Sequence, residues 1–282
     1  MTRFSLDVRW REASSGRTGA SDPAVRAVEW HPDMAAVILC DMWDAHHCVS
    51  AANRVARMAP RMNEVIAAIR KQGALIIHAP SGCMDFYRAS PGRRRALEAP
   101  HALAPVEFDW NGWNPERESP LPPGMADPGP CSCDAPEPCC EARPSCPWTR
   151  QIAAIEVAGE DAISDDGQEV FNMLEQRAID DVVIMGVHTN LCVLGRPFGI
   201  RQLVHAGKRP LLCRDLTDSF HRLPIGHDPG TDLVIEHIER HWCPSITSDQ
   251  LVGGAPFRFE DIGDRPSQDR EVSGSGTAST GP

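Results

Sequence analysis

Short apolar runs alternate with helix-like segments along most of this chain, and this alternation limits the fold more than any other feature. The runs AAVILC (35–40), ALIIHA (74–79), DVVIMGV (181–187) and PLLCRDL (210–216) have the length and apolar content of buried strands. A further candidate strand is AAIEVA (153–158). Strands that alternate with helices predict a parallel sheet with helices on both faces.

The helix-like segments are amphipathic. Segment 52–73 places its apolar residues on one helical face and ends at Gly73, and Pro60 is expected to kink or split this helix. The other predicted helices are 167–179, 191–207 and 231–242. With 282 residues, the chain is long enough for one such domain with insertions.

Both ends and one internal segment depart from the alternation. Residues 1–33 are predicted to be a loosely structured lead-in, and residues 34–253 the folded domain. Residues 80–150 form an insertion rich in Pro, Gly and Cys, which is either functional, as a lid or an oligomer contact, or a decoration without a catalytic part. Residues 254–282 end in SGSGTASTGP and are predicted to be disordered.

The overall charge excludes some classes of partner. A net charge of −11 with a pI near 5.4 argues against binding to nucleic acid or to anionic membranes. No apolar run marks the N-terminus as a signal peptide, and no window has the length of a membrane span. We therefore expect a cytoplasmic protein that acts on a small molecule, with its cysteines mostly reduced.

One cysteine occupies a position that suits catalysis. Strand 181–187 runs into a short polar turn, and Cys192 follows where the next helix is predicted to begin. A helix N-terminus lowers the pKa of a thiol, and the backbone N–H groups of such a turn can point at an electrophile. This arrangement suits nucleophilic attack on a carbonyl carbon. The alternative is a buried cysteine that closes a strand–helix junction.

Two motifs taken together resemble a known superfamily. They are ILCDMWD, with Asp41 at the end of the first predicted strand, and GVHTNLCV, with Cys192. They resemble the isochorismatase-like cysteine hydrolases, which include isochorismatases, nicotinamidases and N-carbamoylsarcosine amidohydrolase. The resemblance covers roughly residues 33–250 without the insertion. It implies a three-layer α/β sandwich around a six-stranded parallel sheet of order 3-2-1-4-5-6, and it is the ground on which we expect a homo-oligomer.

The resemblance also implies roles for individual residues. Cys192 would be the nucleophile and Asp41 the general acid/base. The backbone N–H groups of His188 and Cys192 would form the oxyanion hole, and the Val187–His188 peptide bond would be cis. Open α/β sheets bind ligands where the strand order reverses, beyond the carboxyl ends of the strands. The residues expected to contact substrate at that edge are Trp43, His46, His78, Thr189 and Asn190.

The chain departs from the superfamily pattern at its third catalytic residue, a lysine near the end of the third strand. Residues 155–170 contain no lysine, and the only lysines of the chain are Lys71 and Lys208, away from this edge. Three alternatives remain: an arginine supplies the charge, histidines do the work, or the site is catalytically silent. The candidates are Arg88, Arg150 and Arg214 for the arginine, and His78 and His188 for the histidines.

No cofactor is expected. Nicotinamidases bind a divalent metal through an Asp-x-His motif after the second strand, and residues 78–87 lack this motif. A different metal site near His46, His47 and His78 is the alternative to ordinary pocket-lining histidines.

Five cysteines between Cys131 and Cys146 form a cluster whose spacing does not match paired C-x₂-C zinc ligands. A reduced loop, a zinc cluster and disulfides are the alternatives.

The function predicted from the sequence is that of a cysteine hydrolase that cleaves a C–N amide-type bond in a small molecule through a thioester on Cys192. The rival prediction is a non-catalytic binding or scaffold protein, because the lysine is absent. A vinyl-ether hydrolase, which would not need Cys192, is a third alternative.

Overall fold

The structure is a computed structural model that describes residues 3–12, 22–127, 129, 131–132 and 146–259. Its centre is a single eight-stranded sheet. The strands are β1 (Phe4–Trp10), β2 (Ala24–Trp30), β3 (Ala35–Cys40), β4 (Leu75–Ala79), β5 (Ala162–Ile163), β6 (Asp181–Val187), β7 (Arg209–Asp218) and β8 (Ser245–Ile246). Their order across the sheet is β2-β1-β8-β7-β6-β3-β4-β5.

The six strands from β3 to β8 pair in parallel and lie in the order β5-β4-β3-β6-β7-β8. Numbered along the chain, this order is 3-2-1-4-5-6, so the predicted α/β class and the order of the parallel strands are confirmed. The sheet as a whole has eight strands rather than the predicted six, because β1 and β2 add an antiparallel pair. The order reverses between β3 and β6, which pair directly. The carboxyl ends of these two strands therefore define the edge where a ligand site is expected.

Two sequence predictions about the sheet are wrong. Residues 4–10 and 24–30, which were expected to belong to a loose lead-in, form the strands β1 and β2, which pair antiparallel and extend the sheet beyond β8. Leu6 and Val8 alternate with exposed residues and are buried, which is the period-two pattern of a half-buried strand. The third parallel strand is β5, whereas residues 153–158 form turns and irregular structure.

The helices are α1 (Val49–Arg70), α2 (Met84–Tyr87), α3 (Pro91–Glu98), α4 (Gly167–Gln176), α5 (Ile200–His205), α6 (His227–His241) and α7 (Asp249–Val252). α1 runs through Pro60 as one helix, so the predicted split does not occur. Its apolar face is buried as predicted, at Val55, Met58, Met62, Val65, Ile66 and Ile69.

Successive residues of the central strands point into two separate cores, which makes the domain three-layered. Ala36 and Ile38 of β3 belong to the core that contains residues of α4, α5 and α6. Val37 and Leu39 belong to the core that contains the apolar face of α1. No helix within the described ranges is long and apolar enough to cross a membrane. Most of the predicted disordered tail, residues 260–282, lies outside the described residues.

Candidate active site

Asp41 directly follows β3 at the edge where the strand order reverses. Its backbone φ is 51°, in the left-handed region that aspartate tolerates better than most residues. The side chain is fully buried, and its Oδ1 accepts the backbone N–H of Ser81 at 2.7 Å. Ser81 follows the neighbouring strand β4. The ends of two adjacent strands therefore hold this carboxylate in place.

Cys192 comes shortly after β6, the other strand at this edge. β6 passes so close to β3 that a Cβ on Gly186 would lie 2.0 Å from the carbonyl oxygen of Cys40, and Gly186 has a φ of 120°. The peptide bond Val187–His188 is cis, as the resemblance implies. The chain then forms a wide helical turn, Thr189–Val193, which contains Cys192.

The structure brings together the two residues that the sequence motifs single out. The thiol of Cys192 lies near the carboxylate of Asp41, whose charge raises the pKa of the thiol. The backbone N–H of His188 also lies close enough to the sulfur to lower the pKa of the thiol in part. A thiol, a proton acceptor and a backbone donor therefore meet at one point, which is the arrangement that acyl transfer to sulfur requires.

An arginine that the sequence analysis did not consider completes this group. The Nε of Arg196 donates to Oδ2 of Asp41 at 3.0 Å. The predicted helix 191–207 is interrupted here, because Pro197 follows Arg196 and α5 begins only at Ile200. A residue before proline is disfavoured in helical conformation, so the helix ends one turn after Cys192. This break leaves Arg196 within reach of Asp41.

The arginines considered from the sequence all have other partners. Arg88 pairs with Asp85, Arg150 lies 3.8 Å from Asp44, and Arg214 donates to Ser245. The arginine that binds Asp41 is therefore Arg196, which was not among the three candidates. Lys208 binds Glu175 and Asp180 at the opposite edge, as expected from its position before β7.

Burial governs the protonation of the site. Burial raises the pKa of the Cys192 thiol well above its ordinary value, the charge of Asp41 raises this pKa further, and Arg196 lowers it in part. Burial also raises the pKa of Asp41, while Arg196 and the hydrogen bonds from Ser81 lower it. The resting site thus holds a protonated thiol. This corrects our expectation of a lowered thiol pKa, because desolvation outweighs the helix terminus.

Two histidines link the Cys192 turn to β7. Nδ1 of His46 accepts the backbone N–H of Cys48 at 3.0 Å, and its Nε2 lies 3.3 Å from Nε2 of His188. Nδ1 of His188 lies 3.3 Å from the backbone oxygen of Asp218. Since a carbonyl only accepts, these contacts assign the proton of His188 to Nδ1 and that of His46 to Nε2. Burial lowers the pKa of His46 to about 2 and that of His188 to about 4.

Asp218 closes this network as a buried anion. Burial alone raises the pKa of Asp218, but the hydrogen bond from His227 and the charge of Arg54 lower it to about 2. Nε of Arg54 lies 3.0 and 3.1 Å from the two carboxylate oxygens. The buried charges are therefore paired, and the network holds the His188 backbone at the nucleophile.

The three histidines considered as metal ligands do not converge. Both ring nitrogens of His78 are engaged, with Gln151 and with Asp161, each at 3.0 Å. His46 and His47 lie together, with ring centroids 4.1 Å apart. Within the part of the chain that the structure describes, no group of three or more His, Cys, Asp or Glu residues is arranged to hold a metal ion.

The other residues expected to contact substrate hold the loops around Cys192. Trp43 stacks on Trp148 with ring centroids 4.2 Å apart, and its indole N–H donates to the backbone oxygen of Ser81. Thr189 pairs with Thr217 through their hydroxyls at 2.8 Å. The side chain of Asn190 bonds to the backbone of Met125 and Phe220. As with His46 and His78, the polar atoms of Thr189 and Asn190 are engaged within the protein.

Residues of the insertion belong to the same core as Cys192. Tyr87 and Met125 are buried in the same apolar cluster as Cys192, and Trp148 packs against it. Cys192 itself is only 6% exposed. Four cavities of about 340 to 610 Å³ lie away from it.

Only the ends of the cysteine cluster are described. Cys131 and Cys146 are free thiols, and the Cys131 sulfur lies 4.0 Å from that of Cys48. Residues 133–145 lie outside the described residues, so the alternatives for this cluster stay open.

Comparisons with known proteins find similarity in structure. No protein-family model matches the chain, and no curated protein matches it. A cysteine hydrolase from Pseudomonas syringae pv. phaseolicola 1448A is similar at 16% identity, over 79% of this chain and 93% of that one, with a TM-score of 0.46. An isochorismatase from Pseudomonas putida KT2440 is similar at 12% identity, over 79% of this chain and 92% of that one, with a TM-score of 0.47. An N-carbamoylsarcosine amidase from Thermoplasma acidophilum is similar at 13% identity, over 76% of this chain and 96% of that one, with a TM-score of 0.41. These names belong to the superfamily that the sequence motifs resemble.

Proposed function

We propose that this protein is a hydrolase of the isochorismatase-like type, which cleaves a C–N amide-type bond in a small molecule through a thioester on Cys192. One observation carries the proposal: the Cys192 thiol lies beside a buried carboxylate that also binds a guanidinium. A buried thiol that only fills space has no need of a buried ion pair beside it, because burying charges costs free energy.

In the first half of the reaction, Asp41 accepts the thiol proton as the Cys192 sulfur attacks the substrate carbonyl carbon. The carbonyl oxygen becomes an oxyanion, which the backbone N–H groups of His188 and Cys192 stabilise. The protonated Asp41 then gives its proton to the leaving nitrogen. The C–N bond breaks, the amine departs and the acyl group stays on sulfur as a thioester.

In the second half, Asp41 accepts a proton from a water molecule that attacks the thioester carbonyl. The C–S bond breaks, the sulfur recovers the proton from Asp41, and the acid product leaves. Arg196 stays charged throughout, because a guanidinium does not deprotonate in proteins. Its role is to stabilise the carboxylate and the thiolate, and the proton transfers belong to Asp41.

A turnover screen on small carboxamides, ureido acids and nicotinamide tests this proposal. Cys192→Ala should lose all turnover of any substrate found. Cys243→Ala is the matched control, because Cys243 is 5% exposed, as buried as Cys192, and lies in the same core. Turnover that survives in Cys192→Ala but requires Asp41 would point instead to a vinyl-ether type of hydrolysis, which does not need the thiol.

A non-catalytic binding protein is the second candidate, and one observation favours it. Asp41 is fully buried and Cys192 nearly so. The screen separates the two candidates, because a binding protein would turn over none of the amides and its Cys192 would resist acylation by an activated ester.

A further inference from the structure

A tryptophan from the insertion stacks on the arginine of the candidate site. The guanidinium carbon of Arg196 lies 4.7 Å from the ring centroid of Trp110. Trp110 is 50% exposed, so the ring has a face on solvent as well as a face on Arg196. The Arg196 side chain is 25% exposed. The Trp110 ring therefore lies between the Arg196 guanidinium and solvent.

The loop that carries Trp110 is fastened to the segment that follows Cys192. The backbone N–H of Asn111 donates to the carbonyl of Gly195 at 2.6 Å. Nη1 of Arg201 donates to both the backbone and the side-chain oxygen of Asn111, at 3.0 and 2.6 Å. Nε2 of Gln202 donates to the backbone oxygen of Asp109 at 3.0 Å. Both neighbours of Trp110 in the chain are therefore held to the residues around Arg196.

The backbone of the Trp110 loop lies very close to the backbone of the segment after Cys192. A Cβ on Gly195 would lie 3.3 Å from Cα of Asn111, which is tighter than ordinary van der Waals contact. Asn111 has a φ of 85° and Gly112 a φ of 54°, so two successive residues adopt the left-handed region. Asparagine and glycine are the residues that adopt it most readily. Asn111 and Gly112 therefore suit the turn that follows Trp110, in which Arg201 binds Asn111.

We propose that Trp110 is a positioning residue, which holds the Arg196 guanidinium on Asp41 and so lets an arginine supply the charge at this site. The inference rests on the proposed function and adds to it a role for the insertion. A planar guanidinium stacks well on an indole ring, and a cation over tryptophan is attracted by the ring electrons. The contact also restricts a long side chain that has many rotamers in the free state.

Alkylation of Cys192 reports on the position of Arg196 without knowledge of the substrate. Only the thiolate reacts with iodoacetamide, and Arg196 lowers the pKa of this thiol. The experiment measures the second-order alkylation rate of Cys192 at pH 8 by mass spectrometry in four full-length proteins. These are the wild type, Trp110→Ala, Arg196→Gln and the double variant. Removal of Trp110 also opens the site to solvent. This second effect is the same with arginine or glutamine at position 196, so it cancels when the effects of Trp110→Ala in the two cases are compared.

Trp110→Ala should slow the alkylation of Cys192 in the wild-type background more than in the Arg196→Gln background. The ratio of the two fold-losses should be about two to thirty. Trp110→Phe should keep most of the wild-type rate, because phenylalanine retains an aromatic face. Trp113→Ala is the matched control: this tryptophan is in the same loop region, is 46% exposed and should leave the rate unchanged.

Equal effects of Trp110→Ala in the two backgrounds would overturn the inference, as would an equal effect of Trp113→Ala. Neither result bears on the nucleophile. The proposed function fails separately, if Cys192→Ala retains the turnover of the wild type. The melting temperature of each variant shows that the rates are compared between folded proteins.

Discussion

Arg196 donates its Nε–H to Oδ2 of Asp41 at 3.0 Å, and it lies one turn after Cys192 on the same segment. The nucleophile and the cation therefore come from one loop after β6, while the carboxylate between them comes from the end of β3. In the superfamily that the motifs resemble, the cation is a lysine from the third strand. Here a positive charge reaches the carboxylate from the segment after β6, on the other side of β3 from the third parallel strand, β5.

Loss of this charge should slow the reaction without changing the nucleophile. Arg196→Gln removes a charge-assisted hydrogen bond to Asp41, and such bonds contribute about 1.5–3 kcal/mol, which corresponds to a loss of about tenfold to hundredfold in kcat/KM. Arg196→Lys keeps the charge but has no Nε donor, so it should fall between the two. Steady-state rates on any substrate from the screen give this order. A lysine variant no better than the glutamine variant would show that charge is not what Arg196 contributes.

Asp41→Asn should separate thiol reactivity from turnover. The charge of Asp41 raises the pKa of the Cys192 thiol and does so more strongly than Arg196 lowers it. The variant should therefore hold more thiolate at pH 8 and be alkylated about tenfold faster, as a shift of one pKa unit gives. Turnover should fall by about 10²- to 10⁴-fold, because the general acid/base is lost. If alkylation slows instead, the two side chains do not interact as described.

Gly186→Ala should be strongly destabilising, because its Cβ would meet the Cys40 carbonyl at 2.0 Å in a backbone of positive φ. We expect a loss of at least about 3 kcal/mol in the free energy of unfolding, or no folded protein. Gly207→Ala is the control, since Gly207 also has a positive φ of 79° but no atom within 4 Å of its added Cβ. Its cost should be about 1 kcal/mol. Urea unfolding gives both values, and similar losses at the two positions would contradict the close approach of β6 to β3.

Stability should fall when the pH drops below 6.5, because His46 and His188 stay neutral in the fold. Their pKa values drop from 6.5 to about 2 and about 4. Below pH 6.5 the unfolded chain binds protons that the folded chain does not, so the free energy of unfolding decreases toward acid. Each histidine contributes up to about 1.4 kcal/mol per pH unit. Urea unfolding at pH 7, 6 and 5 should show this slope, and His46→Gln should make it shallower; an unchanged slope would exclude His46 from the effect.

The meeting of Asp41 and Cys192 was predicted in two steps. Both residues follow short apolar runs typical of buried parallel strands, which share a carboxyl edge, and the resemblance of the two motifs to the superfamily implied the strand order that makes these strands neighbours. Arg196 was missed because the apolar pattern of residues 191–207 was interpreted as one continuous helix. Pro197 was the available signal, since it ends that helix one turn after Cys192 and keeps the arginine near the sheet.

Other features depend on tertiary contacts that a local pattern does not contain. The pKa of the Cys192 thiol depends on its burial, and nothing in GVHTNLCV predicts that the thiol lies in the same core as Tyr87 and Met125 of the insertion. The β1–β2 hairpin did have a local signal in the alternation of Leu6 and Val8, but these residues precede a stretch without strand character. Its place in the sheet follows from the pairing of Arg9 with Ser245, far away in sequence.

Trapping of an acyl-enzyme shows whether Cys192 is the nucleophile. The protein is mixed with p-nitrophenyl acetate, quenched in acid within the first turnover and digested for mass spectrometry, with Cys243→Ala and Cys192→Ala treated in parallel. The account predicts one acetyl group on the peptide that contains Cys192, in the wild type and in Cys243→Ala, and none at that position in Cys192→Ala. An acetyl group on another residue, or equal labelling of all three proteins outside that peptide, would contradict it.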